Sequence, residues 1–286
     1  MVPTMPGKVQ VNTNEQVDKL RQAEKRVASA SSGKASPVKE SSSLSRMLGT
    51  LELFSRDHSV LSAEEIARGA GVPMSTAYRY VKQLATAGLL VRWKGGYTLG
   101  PRIMELDLQI RGCDPVIAAA SDIMSEVSQD VGLDSLLTKL YDNRVMTVHI
   151  EAGRETRSLA YGRGRPLPLF RGSSSRVIVA NLSSAKLRRL FEAQRTLPGV
   201  ELPDWPTFSA EMSVIRRQGY SLTKGELNSG IEGISAPIFV DTRQVVGSLT
   251  LIGDVERMRL LREDTVIEIV KSAAARISSR LQASAD

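Results

Sequence analysis

The stretch from Leu61 to Leu99, LSAEEIARGAGVPMSTAYRYVKQLATAGLLVRWKGGYTL, admits few folds. Ser62-Ala63-Glu64-Glu65 spells a capping box: a hydroxyl at the N-cap and a carboxylate three residues on. A helix therefore starts there, and two acids in its first turn suit the helix dipole. Gly69-Ala70-Gly71 ends it, because glycine accepts the left-handed backbone of a sharp turn. Pro73 then favours a second start. The second helix runs to about Ala87, with Ala77, Val81 and Leu84 as its buried stripe. Two apolar runs follow, Leu89–Val91 and Tyr97–Leu99, and the Gly95-Gly96 pair between them predicts a tight hairpin turn.

Two short helices around a glycine turn, followed by a hairpin, make a winged helix-turn-helix, a unit that binds DNA. Ser75, Tyr78, Arg79 and Lys82 share one face of the second helix, and that face holds no acid. Arginine can read guanine through two hydrogen bonds, and hydroxyls take phosphates or bases. The candidate DNA contacts are Ser62, Pro73, Met74, Ser75, Thr76, Tyr78, Arg79, Tyr80 and Lys82 from the two helices. Arg92 and Lys94 join them from the wing. The competing reading is a small helical unit with a solvated basic face.

Charge supports the DNA reading. Residues 1–40 carry net +3 and residues 41–102 net +4, whereas 103–286 sum to zero. The whole +7 thus sits in the first third of the chain, the footprint of a nucleic-acid reader attached to a separate neutral module. No run of 18 apolar residues predicts a membrane span. No apolar signal segment opens the chain, and the single Cys113 fits a reducing compartment, so a cytoplasmic location is expected.

Taken in order, 1–42 reads as a disordered basic tail, rich in Ser, Lys, Gln and Asn. Val17, Leu20 and Val27 hint at a short helix within it. Lys19, Arg21, Lys25 and Arg26 could add non-specific DNA affinity. The winged domain spans 43–102. Its first helix carries Leu44, Met47, Leu48, Leu51 and Phe54 at helical spacing, with Ser43 as the cap. Residues 103–113 read as a linker helix in which Ile103, Leu106 and Ile110 face either a partner chain or a core.

From 114 to 286 helices alternate with strands, which predicts an α+β domain. Helices are expected at Val116–Val131, Ser173–Leu182, Ser184–Gln194, Phe208–Gln218 and about Arg262–Leu281. Strands are expected at Leu136–Tyr141, Val145–Ile150, Leu159–Tyr161, Ile234–Val240 and Val245–Ile252. Gly219–Gly233 reads as a glycine-bearing loop able to close over a ligand.

No catalytic constellation is legible. His58 and His149 fall in different expected domains, so neither a metal site nor a His-based nucleophile forms; His149 reads as a packed strand residue. Neither a Gly-x-Ser-x-Gly elbow nor a phosphate-cradling Gly-x-x-x-x-Gly-Lys loop occurs. Capping explains the run Ser173-Ser174-Ser175 better than nucleophilic chemistry. The expectation is a binding protein without cofactor or metal. An enzyme with a DNA-binding appendage and an effector-free architectural DNA binder are the alternatives.

Ser43-Leu44-Ser45-Arg46, Ser75-Thr76, Arg79, Leu84, Gly88 and Tyr97-Thr98-Leu99-Gly100 together resemble the IclR (isocitrate lyase regulator) family of bacterial transcription factors. Arg217-Gln218-Gly219-Tyr220, Glu226 and Gly230 extend the resemblance over about 43–284. It implies a GAF-like sheet domain that senses a small molecule, and a homodimer or dimer of dimers on a palindromic operator in double-stranded DNA. It also places the effector. The family's frequent acid after the Gly-Tyr pair corresponds to Thr223, and its frequent Cys to Gly233. Its two hydroxyl positions fall at Thr250 and Ile252, and its Gly-Lys pair at Ser175-Arg176. The effector candidates are Ser173, Ser174, Ser175, Thr223, Glu226, Gly233, Ser235, Thr250 and Ile252. The altered polar lining argues for a more apolar or aromatic ligand than a small carboxylate of central metabolism.

Overall fold

A computed structural model describes residues 42–55, 57–154 and 162–284. They form two compact units that meet in sequence at Asp114–Pro115. The expected basic tail and the expected strand at Leu159–Tyr161 lie outside the described residues.

The first unit opens with helix α1 (Ser43–Gly49), which continues as a 3-10 turn over Thr50–Leu53. The cap is Ser42 and not Ser43: its hydroxyl accepts from the Ser45 amide at 3.1 Å. Leu44 and Leu48 stand exposed, while Met47, Leu51, Leu53 and Phe54 pack on the core of Leu61, Ile66, Val81, Leu84 and Leu90. Helix α2 (Ala63–Ala70) carries the full capping box, with Ser62 Oγ accepting from Glu65 N at 3.2 Å and Glu65 Oε2 accepting from Ser62 N at 2.7 Å. Gly71 turns the chain at φ 63°, and Pro73 caps helix α3 (Met74–Thr86).

Strands β1 (Leu90–Trp93) and β2 (Gly96–Leu99) form the wing. Its turn is one residue earlier than the Gly-Gly pair suggested. Lys94 (φ 48°) and Gly95 (φ 83°) take the two left-handed positions, and Gly96 pairs with Trp93. Gly96 is needed for a different reason: a Cβ there would stand 2.8 Å from the Leu61 carbonyl oxygen, which bridges this hairpin at Tyr97. Helix α4 (Arg102–Cys113) buries none of its side chains. Met104, Leu106, Leu108 and Ile110 are all exposed, so membership of the unit's core does not account for its apolar positions.

The second unit is built on one antiparallel sheet of order β5-β4-β3-β8-β7-β6. Its strands are β3 (Asp134–Tyr141), β4 (Arg144–Glu151), β5 (Pro166–Leu167), β6 (Ser221–Lys224), β7 (Ile231–Phe239) and β8 (Val245–Asp254). β6 and the start of β7 occupy the stretch expected to be loop between Gly219 and Gly233. Successive side chains point to opposite faces of a strand. Leu137, Ile234, Ala236, Ile238, Leu249 and Leu251 therefore share one face, packed against α5 (Pro115–Val131). Val266, Val270, Ala273, Ile277 and Leu281 close that core from the last helix.

The alternate positions face α6 (Ser173–Ala180) and, apart from Leu136, are small or hydroxylic: Thr138, Gly233, Ser235, Ser248 and Thr250. Helices α7 (Ser184–Arg195) and α8 (Trp205–Gln218) complete this side. Phe170, Phe191, Trp205 and Phe208 form an aromatic cluster there. α8 begins at Trp205, three residues before the expected start, because Asp204 caps it by accepting from Thr207 N at 3.1 Å. A short α9 (Val255–Leu260) precedes the long closing helix α10 (Glu263–Ala283). His149 is half-buried and not a core residue: its Nε2 lies 2.6 Å from Glu151 Oε1.

Candidate DNA-binding surface and effector pocket

Helix α3 has two faces. Ala77, Tyr80, Val81 and Leu84 step i, i+3, i+4, i+7 and are all buried. Ser75, Tyr78, Arg79 and Lys82 lie exposed on the other side, with Thr76 half-buried beside them. Tyr80 is thus removed from the set of expected DNA contacts. Only 2% of it is exposed, against 52% for Tyr78, and its phenol hydroxyl meets Ser43 Oγ at 3.2 Å. Its ring instead underlies the Arg79 guanidinium, 5.9 Å from the ring centroid. Ser62 is half-buried and engaged in the capping box, Met74 is half-buried, and Pro73, Arg92 and Lys94 are exposed. The ion pairs described in this unit, Arg102–Glu105 and Arg111–Asp107, both lie on α4. Among the described residues, the cations of α3 and the wing are therefore left unneutralised, as a phosphate-facing surface requires.

The second unit holds a cavity between the N-terminus of α6, the sheet face formed by β3, β8, β7 and β6, and the 225–230 turn. Its empty volume, mouth included, is about 510 Å³. Leu136, Leu167, Leu227, Ile231 and Ile252 give it an apolar wall. Ser173, Ser174, Thr223, Glu226, Asn228 and Thr250 supply polar groups, so seven of the nine expected effector residues line one cavity. Leu136, Leu167, Leu227, Asn228 and Ile231 went unnamed in the sequence. Period-2 alternation places Leu136 on the face of Thr138, but nothing local marks the others as converging.

Ser235 and Ser175 do not line it. Ser235 is fully buried one layer beneath, and Ser175 is buried with its hydroxyl unpartnered among the described residues. Ser235 matters through its neighbours. It donates to Ser173 Oγ at 2.8 Å and lies 2.8 Å from Thr250 Oγ1, which lies 2.8 Å from Ser174 Oγ. Each hydroxyl has one proton. With that of Ser235 committed to Ser173, Thr250 donates to Ser235 and Ser174 donates to Thr250. One proton of the four is left over, on Ser173, at the cavity wall.

The backbone of the α6 N-terminus is also organised. Glu226 Oε2 accepts from Gly172 N at 3.1 Å, and Thr223 Oγ1 accepts from Ser173 N at 3.2 Å. The close approach of α6 to β7 explains Gly233: a Cβ there would lie 2.9 Å from Ser173 Oγ. The Arg280 and Arg276 guanidiniums on α10 hold the Asp122 and Glu126 carboxyls of α5 below the ordinary carboxylate range. Among the described residues no group of three or more His, Cys, Asp or Glu side chains could hold a metal ion, and no helix is long and apolar enough to cross a membrane.

A winged helix-turn-helix followed by an α+β domain with its own pocket is the layout of a ligand-responsive DNA-binding regulator. Residues 43–92 match the IclR helix-turn-helix domain, and residues 112–279 match the bacterial transcriptional regulator IclR C-terminal domain. The chain belongs to the IclR family of bacterial transcriptional regulators. It is 26% identical over 239 residues to the HTH-type transcriptional regulator KipR of Bacillus subtilis, covering 82% of this chain and 95% of that one. An IclR homologue from Microbacterium hydrocarbonoxydans, crystallised with 4-hydroxybenzoate, is 26% identical with a TM-score of 0.67, covering 85% of this chain and 100% of that one. An IclR regulator from Alicyclobacillus acidocaldarius shares the fold at 22% identity and a TM-score of 0.69, covering 84% and 98%. The protein is a DNA-binding transcriptional regulator with a C-terminal effector-binding domain.

Proposed function

We propose that the chain is a cytoplasmic regulator of a catabolic pathway that reads a palindromic operator as a homodimer, or as a dimer of dimers. Ser75, Thr76, Tyr78, Arg79 and Lys82 enter the major groove; Arg92 and Lys94 grip the flanking backbone. Ser62, Pro73 and Met74 frame the turn that sets the helix against the duplex. The exposed apolar side chains of α4, with Leu44 and Leu48, are the surface a second copy covers. Two-fold pairing then spaces the recognition helices by about one helical turn, roughly 34 Å.

The effector occupies the cavity beneath α6, and its occupancy biases the linker helices between operator-competent and incompetent spacings. Such couplings are worth about 1–3 kcal/mol. The observation that carries this reading is the hydroxyl chain that leaves one proton, on Ser173, at a largely apolar wall. It offers a donor to one acceptor oxygen of a mostly apolar ligand, the usual build of a small-molecule site. The 4-hydroxybenzoate held by the Microbacterium homologue supports an aromatic effector class. We read the domain as a sensor that binds without turnover.

A thermal-shift screen of aromatic metabolites, beginning with 4-hydroxybenzoate, tests the site. Ligands that raise the melting temperature of the wild type should lose that effect in Thr250→Ala and remain chemically unchanged after incubation. Shifts of equal size in the variant place the effector elsewhere; consumption of the ligand would mark an enzyme.

A further inference from the structure

The wing carries an exposed indole that the reading above does not use. We propose that Trp93 is a direct DNA contact: its ring lies against the deoxyribose walls of the groove flanking the one read by α3. The proposal rests on the DNA-binding reading of this unit.

Three observations converge on it. First, Trp93 is 55% exposed and Val91, two residues earlier on the same face of β1, is 42% exposed, so the wing shows solvent an apolar strip. Second, cations adjoin the strip, Arg92 on the opposite face of β1 and Lys94 in the turn. Arg92 and Lys94 are both exposed, and the hairpin from Leu90 to Leu99 contains no acid. A partner of negative charge with apolar sides fits that pattern, and duplex DNA presents phosphate rims around deoxyribose walls. Third, the indole is held at the tip. Trp93 is the last residue of β1, and the Lys94-Gly95 turn follows with both residues left-handed. Gly96, across from Trp93, cannot carry a side chain because of Leu61. The hairpin under the indole is therefore braced by the Val60–Leu61 segment, which holds the ring at the tip, and apolar side chains are established wedges in the minor groove.

An apolar contact and a phosphate contact respond differently to salt. Each phosphate neutralised by Lys or Arg adds about 0.9 to the slope of log affinity against log salt concentration. Burying an indole against sugars adds affinity with no counterion release. Trp93→Ala should therefore weaken binding to duplex DNA about tenfold, the equivalent of about 1.4 kcal/mol, with an unchanged slope. Lys94→Ala should lower the slope.

Fluorescence gives a second readout, because Trp93 and Trp205 are the only tryptophans. In Trp205→Phe, Trp93 is the sole reporter. A random-sequence 30-base-pair duplex at low salt should shield it from acrylamide quenching by more than twofold once anisotropy of a duplex-borne dye shows saturation. Saturated binding with unchanged quenching overturns the proposal, as does a Trp93→Ala variant of wild-type affinity. Shielding produced by the chain's own self-association, in the absence of DNA, assigns the indole to a protein interface and overturns it too. If the duplex does not bind at all, the DNA-binding reading fails, and Trp93 with it.

Discussion

Two threonines on one face of the sheet should respond in opposite directions to the same change. Thr250 and Thr138 are both buried, and both point toward α6. Thr250 Oγ1 has two partners at 2.8 Å, Ser174 and Ser235, whereas Thr138 Oγ1 has none among the described residues. Valine is close to threonine in shape, so Thr→Val removes the hydroxyl with little change of volume. At 250 it strands the Ser174 proton and deprives Ser235 of a donor. A buried polar group left unsatisfied costs about 1–3 kcal/mol, and we take about 2 kcal/mol for this site. For a unit of this size each kcal/mol moves the melting temperature by about 2–4 °C, so Thr250→Val should melt roughly 4–8 °C lower. At 138 the same change removes an orphaned hydroxyl, so the melting temperature should hold or rise. Differential scanning calorimetry of the C-terminal transition measures both. Equal shifts in the two variants, or a loss under about 1 °C at 250, would refute the hydroxyl-chain argument and the left-over Ser173 proton that depends on it.

Further outcomes follow from the same geometry. Tyr80→Phe should change DNA affinity less than about fivefold, since a phenol that meets only Ser43 contributes on the scale of one part-exposed hydrogen bond, about 0.5–1 kcal/mol; fluorescence anisotropy against a promoter fragment measures it. Lys82→Gln should lower the salt slope of that binding by about 0.9 at every sequence tested. The Asp122–Arg280 and Glu126–Arg276 pairs join α5 to α10, and both carboxyls titrate below their ordinary values of 3.8 and 4.5. A depressed folded pKa gives stability that is present above the unfolded value and lost as pH falls through the folded one. Asp122→Asn/Glu126→Gln should therefore melt below the wild type at pH 7, and the gap should narrow as pH falls from the unfolded values through the lowered folded ones; a gap that stays constant as the pH is lowered through that range contradicts the linkage.

Local chemistry made much of the first unit legible in the sequence. A capping box and a left-handed glycine act over four residues, so Ser62, Glu65 and Gly71 could be read without tertiary information. The error at Tyr80 was one of period: it completes the i, i+3, i+4, i+7 stripe of Ala77, Val81 and Leu84, and its meeting with Ser43 follows from that face being buried. The wing turn shifted because Gly96 is constrained by Leu61, thirty-five residues away, and not by its own dihedrals. In the second unit, β6 is four residues long and owes its strand character to pairing with β7. The pocket was legible through resemblance: Thr223, Gly233, Thr250 and Ile252 come from three strands and meet only in the folded sheet. The interior position of Ser235 and Ser175 depends on how α6 lies across that sheet, which no periodicity encodes.

DNase footprinting on the promoter of the chain's own gene, run with the wild type and Arg79→Glu side by side, tests the central claim most directly. Arg79 is exposed on α3, and the contact its reversal breaks is a cation–π approach to the Tyr80 ring at 5.9 Å, worth about 0.5–1 kcal/mol at such a site, so circular dichroism should report an unchanged fold. The account predicts a protected palindrome with the wild type and none with the variant at 150 mM salt. Equal protection by both proteins would contradict it.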